Sequence, residues 1–348
     1  MISQEAFQEY QDFVEYTQEL LQKDTQWKRL YAGYARKMLQ NKEQMIMKRK
    51  MLGSQNHFAP LHCYTTIGAI KGDADFDFDL RFLGQSVGTI TVIDGKPILQ
   101  VSEKKAETSR REFGYDVGPI DGEVWNVGEK AKAFKAYYDA AIKQPDKRPR
   151  QPEHMVESAL FTELERKHGD TKALKYIQPI TCIDDVRLHM KTTLYASSVS
   201  KSALTLPTLS STGGEIDAFC RRKIGNRSRL TVIEIKDEND SREPFHQVIR
   251  QAIAYAVFIR ELVRSESGRD WMELWGLGNQ PWESGFTINA AVAMPKENTE
   301  QFPFAGIKLE LKGEKPEDPT DWIELHYIAF LGEDKPRDGQ NVQFETSL

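Results

Sequence analysis

The chain has 348 residues, 39% hydrophobic and 28% charged, which is enough apolar side chain for a packed core and argues against global disorder. Its net charge of −5 gives no global nucleic-acid signature, and no apolar run approaches the roughly 20 residues that cross a bilayer. Three cysteines (Cys63, Cys182, Cys220) are too few and too scattered for a disulfide framework or a thiolate zinc site. The first residues lack the basic region and apolar core of a secretory signal, so the expectation is a cytoplasmic protein with no membrane partner.

Residues 4–52 read as helix: they hold many good helix formers, no proline, and glycine only at Gly33. Trp27, Tyr31 and Tyr34 form an aromatic stripe at i, i+4 and i+7, which predicts either packing against the rest of the protein or a face laid along nucleic acid. Residues 23–50 carry nine basic side chains against Asp24 and Glu43, and Lys48, Arg49 and Lys50 close that run as candidate nucleic-acid contacts.

From about 62 to 126 the pattern changes to short strands and turns. Asp73, Asp75, Asp77 and Asp79 alternate with apolar residues, the signature of one strand face, and a solvated face is expected. The calcium-loop template fails there, since its glycine and glutamate positions fall on Phe78 and Gly84. Residues 88–93 and 97–101 read as a hairpin across Asp94-Gly95-Lys96. A helix is expected at about 127–143, and the proline-rich stretch 144–152 then marks a division into residues 1–150 and 151–348.

The chemistry is concentrated in 153–260. Residues 153–164 read as a helix with Leu160, Phe161 and Leu164 on its apolar face and Glu157 beside them; Glu163 is the alternative acid. Gly213-Gly214-Glu215-Ile216-Asp217 enters a strand, a basic connection runs from Arg221 and Arg222 to Arg229, and 230–236 returns as a strand rich in apolar residues. That strand nevertheless carries Glu234 and Lys236, two residues apart and therefore on one face. Asp217 on the neighbouring strand can reach Glu234, and two carboxylates so close call for a divalent cation. A helix from Pro244 to about Arg264 places Gln251 and Tyr255 on one face, and 286–294 supplies another buried strand.

Glu157, Ile216-Asp217, Glu234-Ile235-Lys236 and Gln251-Ala252-Ile253-Ala254-Tyr255 resemble, in order and spacing, the PD-(D/E)xK nuclease superfamily, the last being similar to the Gln-x-x-x-Tyr element of RecB-like members. Ile216 stands where the family name has proline. The resemblance covers roughly 153–295 and implies an α+β, restriction-endonuclease-like core of helix, three strands, helix and strand, preceded by a helical and β-hairpin region. It further implies a Mg²⁺- or Mn²⁺-dependent nuclease, with DNA placed ahead of RNA as the nucleic-acid substrate and Asp217, Glu234 and Glu157 toward the metal. Lys236 would position or activate water, Gln251 and Tyr255 would support the site, Arg221 and Arg222 would meet nucleic acid, and a homodimer is common in such proteins. A catalytically silent nucleic-acid- or protein-binding module of the same fold is the alternative.

Overall fold

The structure is a computed structural model and describes residues 3–40, 42–43, 58–67, 77–144, 152–165, 174, 176–183, 186–196, 206–210, 213–236, 245–296, 304–331 and 343–348. Lys48, Arg49 and Lys50, Asp73 and Asp75, Pro244 and most of the proline-rich stretch lie outside the described residues.

Two helices open the chain, α1 (Gln4–Lys23) and α2 (Gln26–Gln40). The expected single helix breaks because Asp24 adopts extended backbone and its carboxylate accepts from the Gln26 N–H at 2.8 Å, as a capping residue does. Then come β1 (His62–Thr66), β2 (Asp77–Phe82), β3 (Gln85–Ile93), β4 (Lys96–Val101), α3 (Glu103–Phe113), β5 (Ile120–Val124) and α4 (Glu129–Ala141). β3 and β4 pair from Thr89↔Gln100 to Ile93↔Lys96 around Asp94 and Gly95, both at positive φ, the turn that the Asp-Gly signal predicts. α3 falls in a stretch expected to hold only strands and turns; Ser102 caps its start through the Lys105 N–H.

The chain continues with α5 (Pro152–Glu165), β6 (Ile177–Pro179), β7 (Thr181–Ile183), β8 (Val186–His189), β9 (Leu194–Tyr195), β10 (Thr208–Leu209), β11 (Ala218–Ile224) and β12 (Arg227–Ile235). After these come α6 (Phe245–Arg264), α7 (Gly268–Leu274), β13 (Thr287–Pro295), β14 (Lys308–Leu311), β15 (Asp321–Leu331) and β16 (Gln343–Thr346). No helix among the described residues is long and apolar enough to cross a membrane.

The fold is mixed α+β with two mixed sheets. One has the order β5-β4-β3-β2-β1-β8-β7; the other runs β14-β15-β13-β12-β11-β6, with β16 also on β15. β1 and β8 are parallel, so β7 and β8, from beyond residue 150, complete the first sheet. α1 in turn packs on α6 and β14, and the 1–150/151–348 division is thus crossed in both directions. In the second sheet β12, β13 and β15 are parallel neighbours, and Leu230 to Ile235 are buried without interruption, as a strand covered on both faces requires.

α6 covers one face of that sheet and α5 the other. α5 was expected to have a single apolar stripe, yet Met155 to Phe161 are all buried. The reason is position: Val156, Leu160 and Phe161 pack with Ile233 and Ile235 of the second sheet and with Tyr64 of the first. The aromatic stripe of α2 packs inward, with the Trp27 and Tyr31 rings 5.4 and 5.2 Å from Phe258 of α6.

Candidate active site

The ladder between β11 and β12 runs from Ile224↔Arg227 to Ala218↔Ile233, and one further step of that register sets Asp217 opposite Glu234. Opposed residues of an antiparallel pair face the same side with Cα atoms about 5 Å apart. Asp217 is held there by its own carboxylate, whose Oδ2 accepts from the Ile235 N–H at 2.8 Å. Glu234 is buried, and Lys236, immediately after the strand, places Nζ 2.9 Å from Glu234 Oε1 and 2.8 Å from Glu153 Oε1 in the first turn of α5.

Two carboxylates therefore hold one ammonium, and the charge of Asp217 acts on it as well. Burial first, and the Glu234 charge second, push the Asp217 carboxyl well above its ordinary value despite Lys236. Burial works against the charge of Lys236, but Glu234, Asp217 and Glu153 outweigh it and raise the lysine's pKa. The ammonium form is the stable one, so this lysine is a fixed cation rather than a proton acceptor.

Glu157 lies one helical turn beyond Glu153 and adds to the negative field at Asp217. Burial would raise its pKa, but the His154 hydrogen bond at 3.4 Å and the charge of Arg81, 3.9 Å away, keep it below the usual carboxylate range. Arg81 comes from β2, so the first sheet supplies a cation to the helix acid. Glu163 is also buried, six residues farther along α5.

α6 contributes Gln251 and Tyr255, both buried. Burial first, then the charges of Glu234 and Asp217, raise the Tyr255 pKa and keep its hydroxyl protonated. Gly214 is required beside it: a Cβ there would fall 2.5 Å from the Tyr255 hydroxyl and 2.8 Å from the Leu194 carbonyl.

Glu215, two residues before Asp217, takes other partners. It precedes β11, bridges to Lys191, and turns its carboxylate to His189 Nε2 at 2.6 Å and Lys191 Nζ at 3.0 Å. His189 first, and Lys191 with it, hold that carboxyl well below the usual range. Asp79 departs from the solvated face expected of its strand. It receives Lys105 Nζ at 2.7 Å, Arg81 Nε at 3.0 Å and Ser86 Oγ at 2.5 Å.

Arg221 and Arg222 are half-buried toward the turn end of the hairpin, four and five residues along β11 from Asp217, or roughly 15 Å. Arg221 donates to Gln178 at 3.2 Å, and they stand apart from the carboxylates. The partnership of Glu153 with Lys236, 83 residues away, has no local signal in the sequence.

Among the described residues no group of three His, Cys, Asp or Glu side chains is disposed to hold a metal ion. The donor set still has the hard, anionic character that Mg²⁺ selects: Asp217 and Glu234 face one another, and the buried Oε1 of Glu157 has no hydrogen-bond partner. Comparison with protein-family models, with curated proteins and with solved structures returns no match.

Proposed function

We propose that the protein is a divalent-metal-dependent nuclease of the PD-(D/E)xK kind that hydrolyses phosphodiester bonds, with DNA as the first substrate to test. The observation that carries this reading is the meeting of Asp217, Glu234 and Lys236 at the open end of β11 and β12, between Glu153 and Glu157 of α5 and Tyr255 of α6. The second sheet supports it: leaving out β7 to β10, which belong to other sheets, and α7, the order α5, β6, β11, β12, α6, β13 follows the helix, three strands, helix and strand of that superfamily.

Asp217 and Glu234 would hold Mg²⁺ or Mn²⁺, with Glu157 as the further ligand from the helix. The bound ion would acidify a water and offset the carboxylate charge. Lys236 stays protonated and donates, which suits it to orient an attacking water or to steady charge on a phosphate oxygen. The protonated Tyr255 hydroxyl stands behind the carboxylates as a donor, and the α6 helix that carries it excludes water from that side.

The test is incubation with plasmid, linear duplex, single-stranded DNA and RNA in Mg²⁺, Mn²⁺ or chelator. Cleavage in metal, none in chelator and none by Lys236→Ala is the expected result; a Lys236→Ala chain that cuts at the wild-type rate overturns it. One observation favours a second reading, a silent binding module: both Glu153 and Glu234 already engage the Lys236 ammonium. That reading predicts nucleic-acid binding with no cleavage under any metal.

A further inference from the structure

A cleft of about 500 Å³ lies between α2 and the chain around residues 191–193 and 209–210. One wall is aromatic and apolar, from Trp27, Leu30, Tyr31 and Tyr34; the other presents Lys191, Thr192 and Ser210. Leu30 is 52% exposed at its rim, an apolar side chain left in water beside a half-buried Tyr34 one turn on. Gly33, between them, has nothing within 4 Å of where a Cβ would stand. Mid-helix glycine is a poor helix former, and packing within the chain does not require it here.

The cleft adjoins the carboxylate site. Its wall at 191–193 is tied to the Asp217 segment where the Thr192 N–H donates to the Gly214 carbonyl at 2.8 Å, and Lys191 meets Glu215 at 3.0 Å. Gly214 is three residues from Asp217, at most about 10 Å of extended chain. α2 also carries Lys28, Arg29, Arg36 and Lys37, with Lys28 toward Glu314 at 3.9 Å, while Asp24, just before the helix, is an acidic residue at the cleft. The exposed Leu30 and half-buried Tyr34 at the rim, facing hydroxyl and ammonium donors and carried on a helix rich in basic residues, are the parts that hold a stacked base and its phosphates.

We infer that this cleft binds an unpaired base of a nucleic-acid strand and so delivers single-stranded or frayed nucleic acid to the neighbouring carboxylates. The inference rests on the nuclease reading for its purpose but not for its test. The duplex, whose bases are stacked inside, leaves the cleft empty.

The experiment is fluorescence anisotropy with labelled oligo(dT) and with a blunt duplex of equal length, in chelator so that nothing is cut. Leu30→Glu alters an exposed residue and Gly33→Leu grows into open space, so both variants keep the core intact. Each is expected to weaken oligo(dT) binding by roughly tenfold or more, the loss of a stacked base, and duplex binding by less than about twofold. Unchanged oligo(dT) binding in both variants, or equal loss for strand and duplex, overturns the inference. So does thymidine monophosphate that displaces oligo(dT) at equal concentration, which would make the cleft a mononucleotide site. Cleavage in Mg²⁺ is scored separately. Strand binding lost in the variants with no cleavage by the parent chain would sink the nuclease reading and leave the cleft; cleavage with an indifferent cleft would do the reverse.

Discussion

Two buried ionic clusters in this molecule are built to opposite specifications. Around Asp321, fully buried at the start of β15, Arg260 Nε donates at 2.9 Å, Arg264 donates through Nε at 2.9 Å and Nη2 at 2.6 Å, and the Phe286 N–H donates at 3.0 Å. Arg260 also bonds Glu261, and Gln18 of α1 joins Glu261 at 3.1 Å and the Lys312 carbonyl at 2.6 Å. Two guanidinium groups face two carboxylates, and every oxygen of Asp321 is taken. At the candidate site Glu234 and Glu153 share one ammonium, and the charge of Asp217 acts on it as well. A balanced cluster has no use for a ligand, whereas an acid-rich one stores repulsion that a bound cation relieves.

The comparison breaks most visibly at Asp321. Asp321→Ala takes the carboxylate from the buried Arg260 and the half-buried Arg264 and should cost about 3–5 kcal/mol, read as a lower urea midpoint. Asp217→Asn should do the reverse: cleavage falls by roughly 10²–10³-fold or more, while the thermal midpoint in chelator holds or rises. A midpoint that drops as far as that of Asp321→Ala would show the two clusters to be of one kind.

A smaller effect is expected from a group whose charge is avoided altogether. His326 of β15 is buried, and its Nδ1 lies 3.2 Å from the Ser347 carbonyl. Burial first, with Arg222 and Arg229 adding to it, outweighs Glu324 and lowers its pKa to about 4. An unfolded histidine binds its proton near pH 6.5, so below that value the unfolded state takes up a proton that the folded state refuses, and stability falls with pH down to about 4. The difference between the native chain and His326→Phe should narrow by about 2 kcal/mol from pH 7.5 to pH 5. A constant difference would remove His326 from the account of acid sensitivity.

What the sequence made legible was local. The Asp94-Gly95 turn, the apolar run 230–235 and the i, i+4 pair Gln251 and Tyr255 each follow from steric preference or periodicity, and each lies where it was read. Asp217 and Glu234 could be paired in advance because a short hairpin fixes its own register. Three features had no such signal. β1 pairs with β8 over more than a hundred residues, Glu153 meets Lys236 across 83, and Arg81 reaches Glu157 from another sheet. The break at Asp24 and the start of α3 at Ser102 were written as capping residues, and helix propensity or strand texture on either side masked them.

The finest discrimination between the two clusters lies in the sign of a pH dependence. Because the folded pKa of Asp217 is raised, the native state keeps a proton that the unfolded chain has lost, so its contribution is present below the ordinary carboxylate value and declines as pH rises toward the folded value. Glu215 and Asp79 run the other way, since their lowered pKa values make stability fall with acid. In chelator, Asp217→Asn should therefore gain on the native chain as pH rises from 4 to 7, by a few degrees of thermal midpoint. Mg²⁺ or Mn²⁺ should close that gap by raising the native chain alone, because the cation supplies the neutralisation that the asparagine supplies by chemistry. A gap that widens on acidification, or that metal leaves untouched, would mean that Lys236 already balances the site and that the excess of acid has no ligand to meet.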